Sequence, residues 1–493
     1  MAQGHLERLT SFDASFLATE KAGAHMAIGA VLSFAGAAPS QEEFVAQVRS
    51  RLHLLPRLRQ RLLGSPLRLG TPYWVDHADF AVEEHVARMT LPMPGSDTQL
   101  REVVGQLLAP PLDRSKPLWQ LILVDGLAED RFVVVYKTHH AMADGVSAVD
   151  IGMLLFDAEP HQTPIPGESP WSPQPTPSKL GLVARAAAGV VTALRRMGTW
   201  FGRALRDPSR ARRRAGNGLA GLWEVTSNLF KPAPKVPLNV SIGSGRCFDC
   251  ATFDLADFKR IKNAYGGTVN DVALAVVAGG MRRWLSDRQV SLTALELKAL
   301  VPVSVRTEDE HGKLGNKLTA MRGPLPVGIA DPVARLRAVS EAMDALKASK
   351  QPFGAEAIWG LNDWFRDFAP PLLLNPTAAV NFSTRLFNLL VTNFPGPQMP
   401  FYLRGRELTE IHPVGFLARR HALAIAILSY NGKVGFGLLA DPDALPDLDR
   451  IPAYLAASLQ ELREPAHIAS RDDADELAGD SRPGFTRGRE RLL

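Results

Sequence analysis

Cysteine is nearly absent: a chain of 493 residues carries two, Cys247 and Cys250. So few thiols exclude a disulfide-stapled fold and suit a reducing compartment. Their C-x-x-C spacing falls in "RCFDCATFDL", which reads as a strand. Residues three apart on a strand point to opposite faces, so inert packing thiols are expected there rather than a metal or redox pair. Long apolar runs are absent too: no uncharged apolar run reaches the roughly 18 residues that span a bilayer. The opening "MAQGHLERLT" shows no charged-then-apolar leader. A protein made and kept in the cytoplasm is therefore expected. Several chemical signatures are also missing. There is no G-x-S-x-G elbow, no P-loop and no short-period repeat.

What is present reads as a globular chain, with 46% hydrophobic and 22% charged residues. Its length exceeds what one core usually supports, so two domains are expected. The net charge of +5 is unevenly placed. Between Lys179 and Arg214 lie ten basic residues and the single acid Asp207, so the remainder of the chain is net negative. Within that patch Val183, Ala187, Val190, Leu194, Met197 and Phe201 recur at spacings of three and four, one apolar stripe of a helix. The arginines fall on the far side. Such a helix suits an anionic membrane or lipid surface; equally, it reads as a linker helix packed on its own domain. No interleaved aromatic platform accompanies the arginines, so nucleic acid is not expected.

Proline marks the joints. Seven prolines fall between Pro160 and Pro177, and "KPAPKVPLN" (231–239) follows the basic helix; neither stretch builds helix or sheet. The expected division is 1–158, a connecting segment 159–240, a second domain 241–465 and a polar tail 466–493. Both domains read as mixed α/β. In the first, Ser40 and Glu43 form a capping box before "EEFVAQVRSR", and "LWQLILVDGL" and "DRFVVVYKTHH" are strands joined by a turn. In the second, "ALVPVSVR", "RLFNLLVTNF" and "HALAIAILSYNGKVGFGLL" are strand-like, the last with the hairpin turn "YNGK"; "NDVALAVVAGGMRRWL" is a helix.

One stretch, "KTHHAMADGVS" (137–147), concentrates chemistry. "FVVVY" is a buried strand, so His139 and His140 sit at its C-terminal end. "GVSAVDIGMLLF" is a helix with Asp144 at its N-cap. The histidines occupy a strand-to-helix turn, where a rigid scaffold offers side chains to a site, and histidine takes up a proton near neutral pH. Taken one at a time, these residues read as two satisfied core histidines and a capping aspartate. Together, H-H-x-x-x-D-G arises by chance on the order of once in a thousand such chains. The stretch lacks the helical i, i+4 pair of a zinc protease, so no metal is expected. A general base without a protein nucleophile remains, deprotonating an alcohol or thiol that attacks an activated carbonyl such as a thioester.

The signature H-H-x-x-x-D-G resembles that of the coenzyme A-dependent acyltransferase superfamily. Within it the chain is similar to the bacterial wax ester synthase/acyl-CoA:diacylglycerol acyltransferase family. The likeness runs from about Leu9 to about Asp441 through "LTSFDASFL" (9–17), "PLW" (117–119), "GGTVNDVALAVVAGGMRRWL" (266–285), "VPVSVR" with the later Gly315 and Asn316, and "NFPGP" (393–397). The resemblance implies an α/β (α+β) fold of two chloramphenicol acetyltransferase-like lobes with a substrate tunnel between them. It implies acyl transfer from acyl-CoA, the co-substrate, to diacylglycerol or a long-chain alcohol, with no other cofactor. By the same likeness His140 is the base, His139 supports it, and Asp144, followed by Gly145, braces the loop through a partner for which Arg306 is the candidate. Asn270, Asp271, Trp119, Asn393, Pro395 and Gly396 are expected around the substrate. From the residues alone, Asn270 reads as a helix cap, Trp119 as core and "NFPGP" as a rigid turn. Rival readings are a carrier-protein-dependent condensation enzyme and a non-catalytic lipid-binding protein at a membrane surface.

Overall fold

The structure, a computed structural model, describes residues 6–20, 23–64, 71–142, 151–152, 154–161, 171–178, 180–184, 191, 195, 199, 232–304, 318–348 and 386–464. In the first part the order is β1 (Glu7–Arg8), α1 (Ser11–Thr19), β2 (Ala27–Ala35), α2 (Gln41–Arg51), β3 (Gln60–Leu63), β4 (Tyr73–Asp76), β5 (Val86–Thr90), α3 (Asp97–Leu108), β6 (Trp119–Asp125) and β7 (Arg131–His139). In the second it is β8 (Cys247–Asp254), α4 (Leu255–Tyr265), α5 (Val269–Asp287), β9 (Leu297–Ser304), β10 (Leu318–Leu325), α6 (Pro332–Ala348), β11 (Leu389–Pro395), β12 (Tyr402–Leu403), β13 (Arg406–Val414), β14 (Leu423–Tyr430) and β15 (Lys433–Ala440). A helix over residues 451–464 follows. No helix among the described residues is long and apolar enough to cross a membrane.

Two six-stranded sheets result, ordered β12-β13-β2-β7-β6-β5 and β10-β9-β11-β14-β15-β8, with a small sheet β1-β4-β3 beside the first. Local chemistry explains several elements. The hydroxyl of Ser40 accepts the Glu43 N–H at 3.1 Å and the Glu43 carboxylate accepts the Ser40 N–H at 2.9 Å, the capping box that starts α2. Asn431 and Gly432 both take positive φ, +42° and +78°, as the tight β14–β15 hairpin requires. Strand β7 lies between β2 and β6, and Phe132 to His139 are all buried, which is why "FVVVY" is apolar on both faces.

Residues 402–414, in the stretch expected to form the second lobe, hydrogen-bond into the first sheet: β13 runs antiparallel to β2, with His412 opposite Val31. The same strand lies against β15 of the second sheet. A Cβ at Gly435 would meet the Ile411 carbonyl oxygen at 2.0 Å, and one at Gly437 the Pro413 oxygen at 1.9 Å. Two positions two apart share one face of a strand, so these glycines make a bare strip on which β13 rests. Gly437→Ala should force the strand off that strip and destabilise the protein by about 1–3 kcal/mol or more, seen as a lower urea midpoint; an unchanged midpoint would contradict the contact.

Between the sheets lies a shared apolar layer. Val31, Val133 and Val135 of the first sheet and Val104 of α3 pack in one cluster with Phe248, Leu390, Ala424 and Leu439 of the second. Part of the connecting segment packs on the first domain: Trp171 meets Phe80 edge-on and lies under the Arg59 guanidinium, and the Gln174 N–H donates to Asp76 at 3.0 Å. Cys247 and Cys250 are free and half-buried on β8. Burial pushes their thiols up to about 11 and about 12, so they stay protonated and unreactive near neutral pH.

Candidate active site

The two histidines fall at the end of β7 because the strand runs out there, and the turn is pinned from both neighbours. The His139 N–H donates to Leu118 O at 3.0 Å, just before β6, and the His140 N–H to Met26 O at 2.8 Å, just before β2. The Met142 N–H closes the turn on His139 O at 2.8 Å. Both rings are nearly withdrawn from solvent, 2% exposed for His139 and 8% for His140.

Their surroundings differ. Nδ1 of His139 accepts the Ala141 N–H at 2.9 Å. A backbone amide can only donate, so the proton of the neutral ring sits on Nε2. That nitrogen faces Glu20 Oε1 at 3.1 Å. Glu20 also accepts the Met26 N–H at 2.7 Å and pairs with Arg114, whose guanidinium reaches back to Leu17 O at 2.9 Å. Burial pushes the Glu20 carboxyl up, but His139, the Met26 N–H and Arg114 together outweigh it and hold the group at about 2. His140 packs against two aromatic rings. Its ring stacks on Phe16 of α1, centroids 4.1 Å apart and planes 17° apart, and meets Phe416 edge-on at 5.5 Å. Phe416 lies between β13 and β14, so helix, turn and second-lobe loop converge on this one ring.

The Glu20 value gives a pH prediction. A carboxyl held below its ordinary 4.5 when folded stabilises the protein fully above about 4.5, and that contribution is lost as the pH falls through about 2. Glu20→Gln should therefore flatten the acid side of the stability profile, followed by tryptophan fluorescence between pH 5 and 2; superimposable acid curves would contradict it.

Further down β7 the protein buries Lys137, which donates to Leu107 O at 3.0 Å and to Pro110 O at the C-terminal end of α3. Burial, then the nearby Arg246, lowers its ammonium to about 8. His25 lies 2.9 Å from Ala109 O, and burial, Arg246 and Lys137 lower it to about 4. Helix-end carbonyls are suited to such donors. This cluster ties the strand that carries the histidines to α3, and its only trace in the sequence is a lysine next to an apolar run.

The other expected residues are distributed as follows. Asp144, Gly145, Arg306, Gly315 and Asn316 lie outside the described residues. Trp119 is fully buried in the first-lobe core, its indole N–H donating to Leu58 O at 2.7 Å and its ring stacked on His85 at 4.6 Å. Asn270 is not the cap of α5. Gly266 and Gly267, φ +85° and +83°, turn the chain sharply, and Thr268 becomes the N-cap, its hydroxyl accepting the Asp271 N–H while Asp271 accepts the Thr268 N–H at 2.8 Å. Asn270 is thereby freed to accept from Asn393 Nδ2 at 3.1 Å, which brings the start of α5 to the end of β11. Pro395 ends that strand. At Gly396 a Cβ would meet Ser429 O at 2.3 Å, so close passage of β14 requires this glycine. Glu20, Phe16, Met26 and Phe416 were not singled out from the sequence. Phe16 and Glu20, four apart across the end of one short helix, were the available signal.

Comparison with known proteins shows the family and the fold. Residues 9–273 match the wax ester synthase/diacylglycerol acyltransferase catalytic domain, and residues 314–463 the C-terminal domain of the same family. A "probable" diacylglycerol O-acyltransferase of Mycobacterium tuberculosis is 32% identical over 460 residues, covering 90% of this chain and 93% of its own. The solved wax ester synthase/diacylglycerol acyltransferase of Marinobacter aquaeolei is similar with a TM-score of 0.66 and 25% identity, over 93% of this chain and all of that one. The first condensation domain of the calcium-dependent antibiotic synthetase shares the fold, with a TM-score of 0.59 and 16% identity over 94% of this chain and 96% of its own.

Proposed function

The chain belongs to the wax ester synthase/diacylglycerol acyltransferase family and is an acyl-CoA-dependent O-acyltransferase, and from that premise we propose that His140 is the general base of the transfer. The acceptor hydroxyl gives its proton to the His140 ring as its oxygen attacks the thioester carbon. The tetrahedral intermediate collapses, the C–S bond breaks, and the imidazolium returns the proton to the departing coenzyme A thiolate. No covalent acyl-enzyme is needed. The observation that carries this reading is the placement of the His140 ring. The His140 ring is set between Phe16 of α1 and Phe416 of the β13–β14 loop, where the two lobes meet, while His139 Nδ1 is taken up by the Ala141 N–H within the turn itself.

The acceptor is a diacylglycerol, a long-chain alcohol or both, reached along a tunnel between the lobes. Asn270 and Asn393 shape the acyl end of that tunnel, a reading supported by their side-chain hydrogen bond, which joins the start of α5 to the end of β11. The basic segment 179–214 holds the enzyme to an anionic membrane or lipid-inclusion surface on the cytoplasmic side. Leu180, Val183 and Val191, all exposed, supply apolar contact there. The test supplies purified protein with a long-chain acyl-CoA and either acceptor, and follows ester and free coenzyme A. Ester with one or both acceptors is expected, and the preferred acceptor assigns the enzyme. Folded protein that makes ester from neither would favour a carrier-bound donor or a purely lipid-binding role.

A further inference from the structure

We propose that Glu20 is a positioning residue of the acyl transfer, acting from the end of α1 to hold both histidines of the turn. A single oxygen of its carboxylate, Oε1, serves two partners: the Met26 N–H at 2.7 Å and Nε2 of His139 at 3.1 Å. Each partner passes the constraint on. The carbonyl of Met26 receives the His140 N–H at 2.8 Å. His139, with its proton directed to Nε2, offers an unprotonated Nδ1 to the Ala141 N–H at 2.9 Å. The peptide groups on either side of the His140 ring thus both lead back to one carboxylate. The second oxygen is occupied by Arg114, which also grips Leu17 O of α1. That helix carries Phe16, the ring on which His140 stacks. Glu20 therefore locks three things to one another: the helix that supplies the stacking ring, the strand entry at Met26, and the turn. It touches no reacting atom. Its effect is on where the His140 ring points, and a misplacement of about 1 Å costs on the order of 100-fold in rate.

This role rests on the reading of His140 as the base. It is tested in the full-length enzyme with Glu20→Gln, Glu20→Ala, His139→Gln and the Glu20→Ala/His139→Gln pair, beside His140→Ala, measuring kcat, KM for acyl-CoA and the folded fraction of each. Glu20→Ala should lower kcat about 100-fold with KM within about twofold. Glu20→Gln keeps the shape and an acceptor oxygen, and should recover much of the loss, leaving roughly a tenfold deficit. The double variant should be little worse than either single one, because both break the same chain of contacts. A purely structural role would instead lower the folded fraction and leave kcat per folded molecule unchanged, which overturns the proposal, as do additive losses in the double variant. Should the alanine protein unfold, Glu20→Gln decides: a wild-type kcat from it overturns the proposal. If His140→Ala itself keeps the wild-type rate, the base assignment fails instead.

Discussion

Trp119→Ala should destabilise the enzyme by about 3–5 kcal/mol, the range for removing a large aromatic side chain from a packed core. The indole is fully buried, stacks on His85 and donates to Leu58 O at 2.7 Å. Truncation therefore leaves a cavity and, beside it, a buried carbonyl without its donor, which adds to the loss. Trp119→Phe keeps most of the volume and forfeits the N–H alone, so its penalty should be nearer 1–3 kcal/mol. Urea denaturation of the three proteins measures both. The experiment also decides what Trp119 is for: with core packing as its role, KM for acyl-CoA stays at the wild-type value below the unfolding transition. A raised KM with unaltered unfolding would place the indole on the substrate.

His140→Ala should lower kcat and kcat/KM for ester formation together by about 10²–10⁴-fold, the span contributed by a positioned general base. Both parameters fall because proton abstraction occurs only on the way to the transition state; KM for acyl-CoA, set by contacts with the bound ground state, should change little. Rate is lost without loss of fold, since the backbone contacts that pin the turn, to Leu118 O and Met26 O, do not involve the ring. Circular dichroism of the variant should match the wild type. Equal losses in rate and in folded protein would instead make the ring a core residue, the bland reading that each histidine admits alone.

What was legible in the sequence was local. The run of apolar residues before His139 announced a buried strand, Asn431–Gly432 a hairpin and Ser40 with Glu43 a helix start, and each appears where its chemistry put it. The family resemblance ordered these pieces into two lobes. What was not legible was long-range or set by competition. Strands β12 and β13 cross into the first sheet because β2 has an open edge and β15 a glycine strip, neither of which marks residues 402–414 themselves. The N-cap of α5 moved from Asn270 to Thr268 because a hydroxyl with a carboxylate three residues on makes a complete capping box. Glu20 meets His139 across 119 positions of chain; an acidic residue at a helix end reads as surface until its partners are known.

The most direct test of the central claim is a single assay of ester formation and free coenzyme A release. It uses a long-chain acyl-CoA with a diacylglycerol or a long-chain alcohol, and compares wild type with His140→Ala at increasing imidazole. The account predicts ester from wild type, its near-complete loss in the variant, and partial recovery as imidazole enters the space between Phe16 and Phe416. Ester formed by His140→Ala at the wild-type rate without imidazole would contradict it.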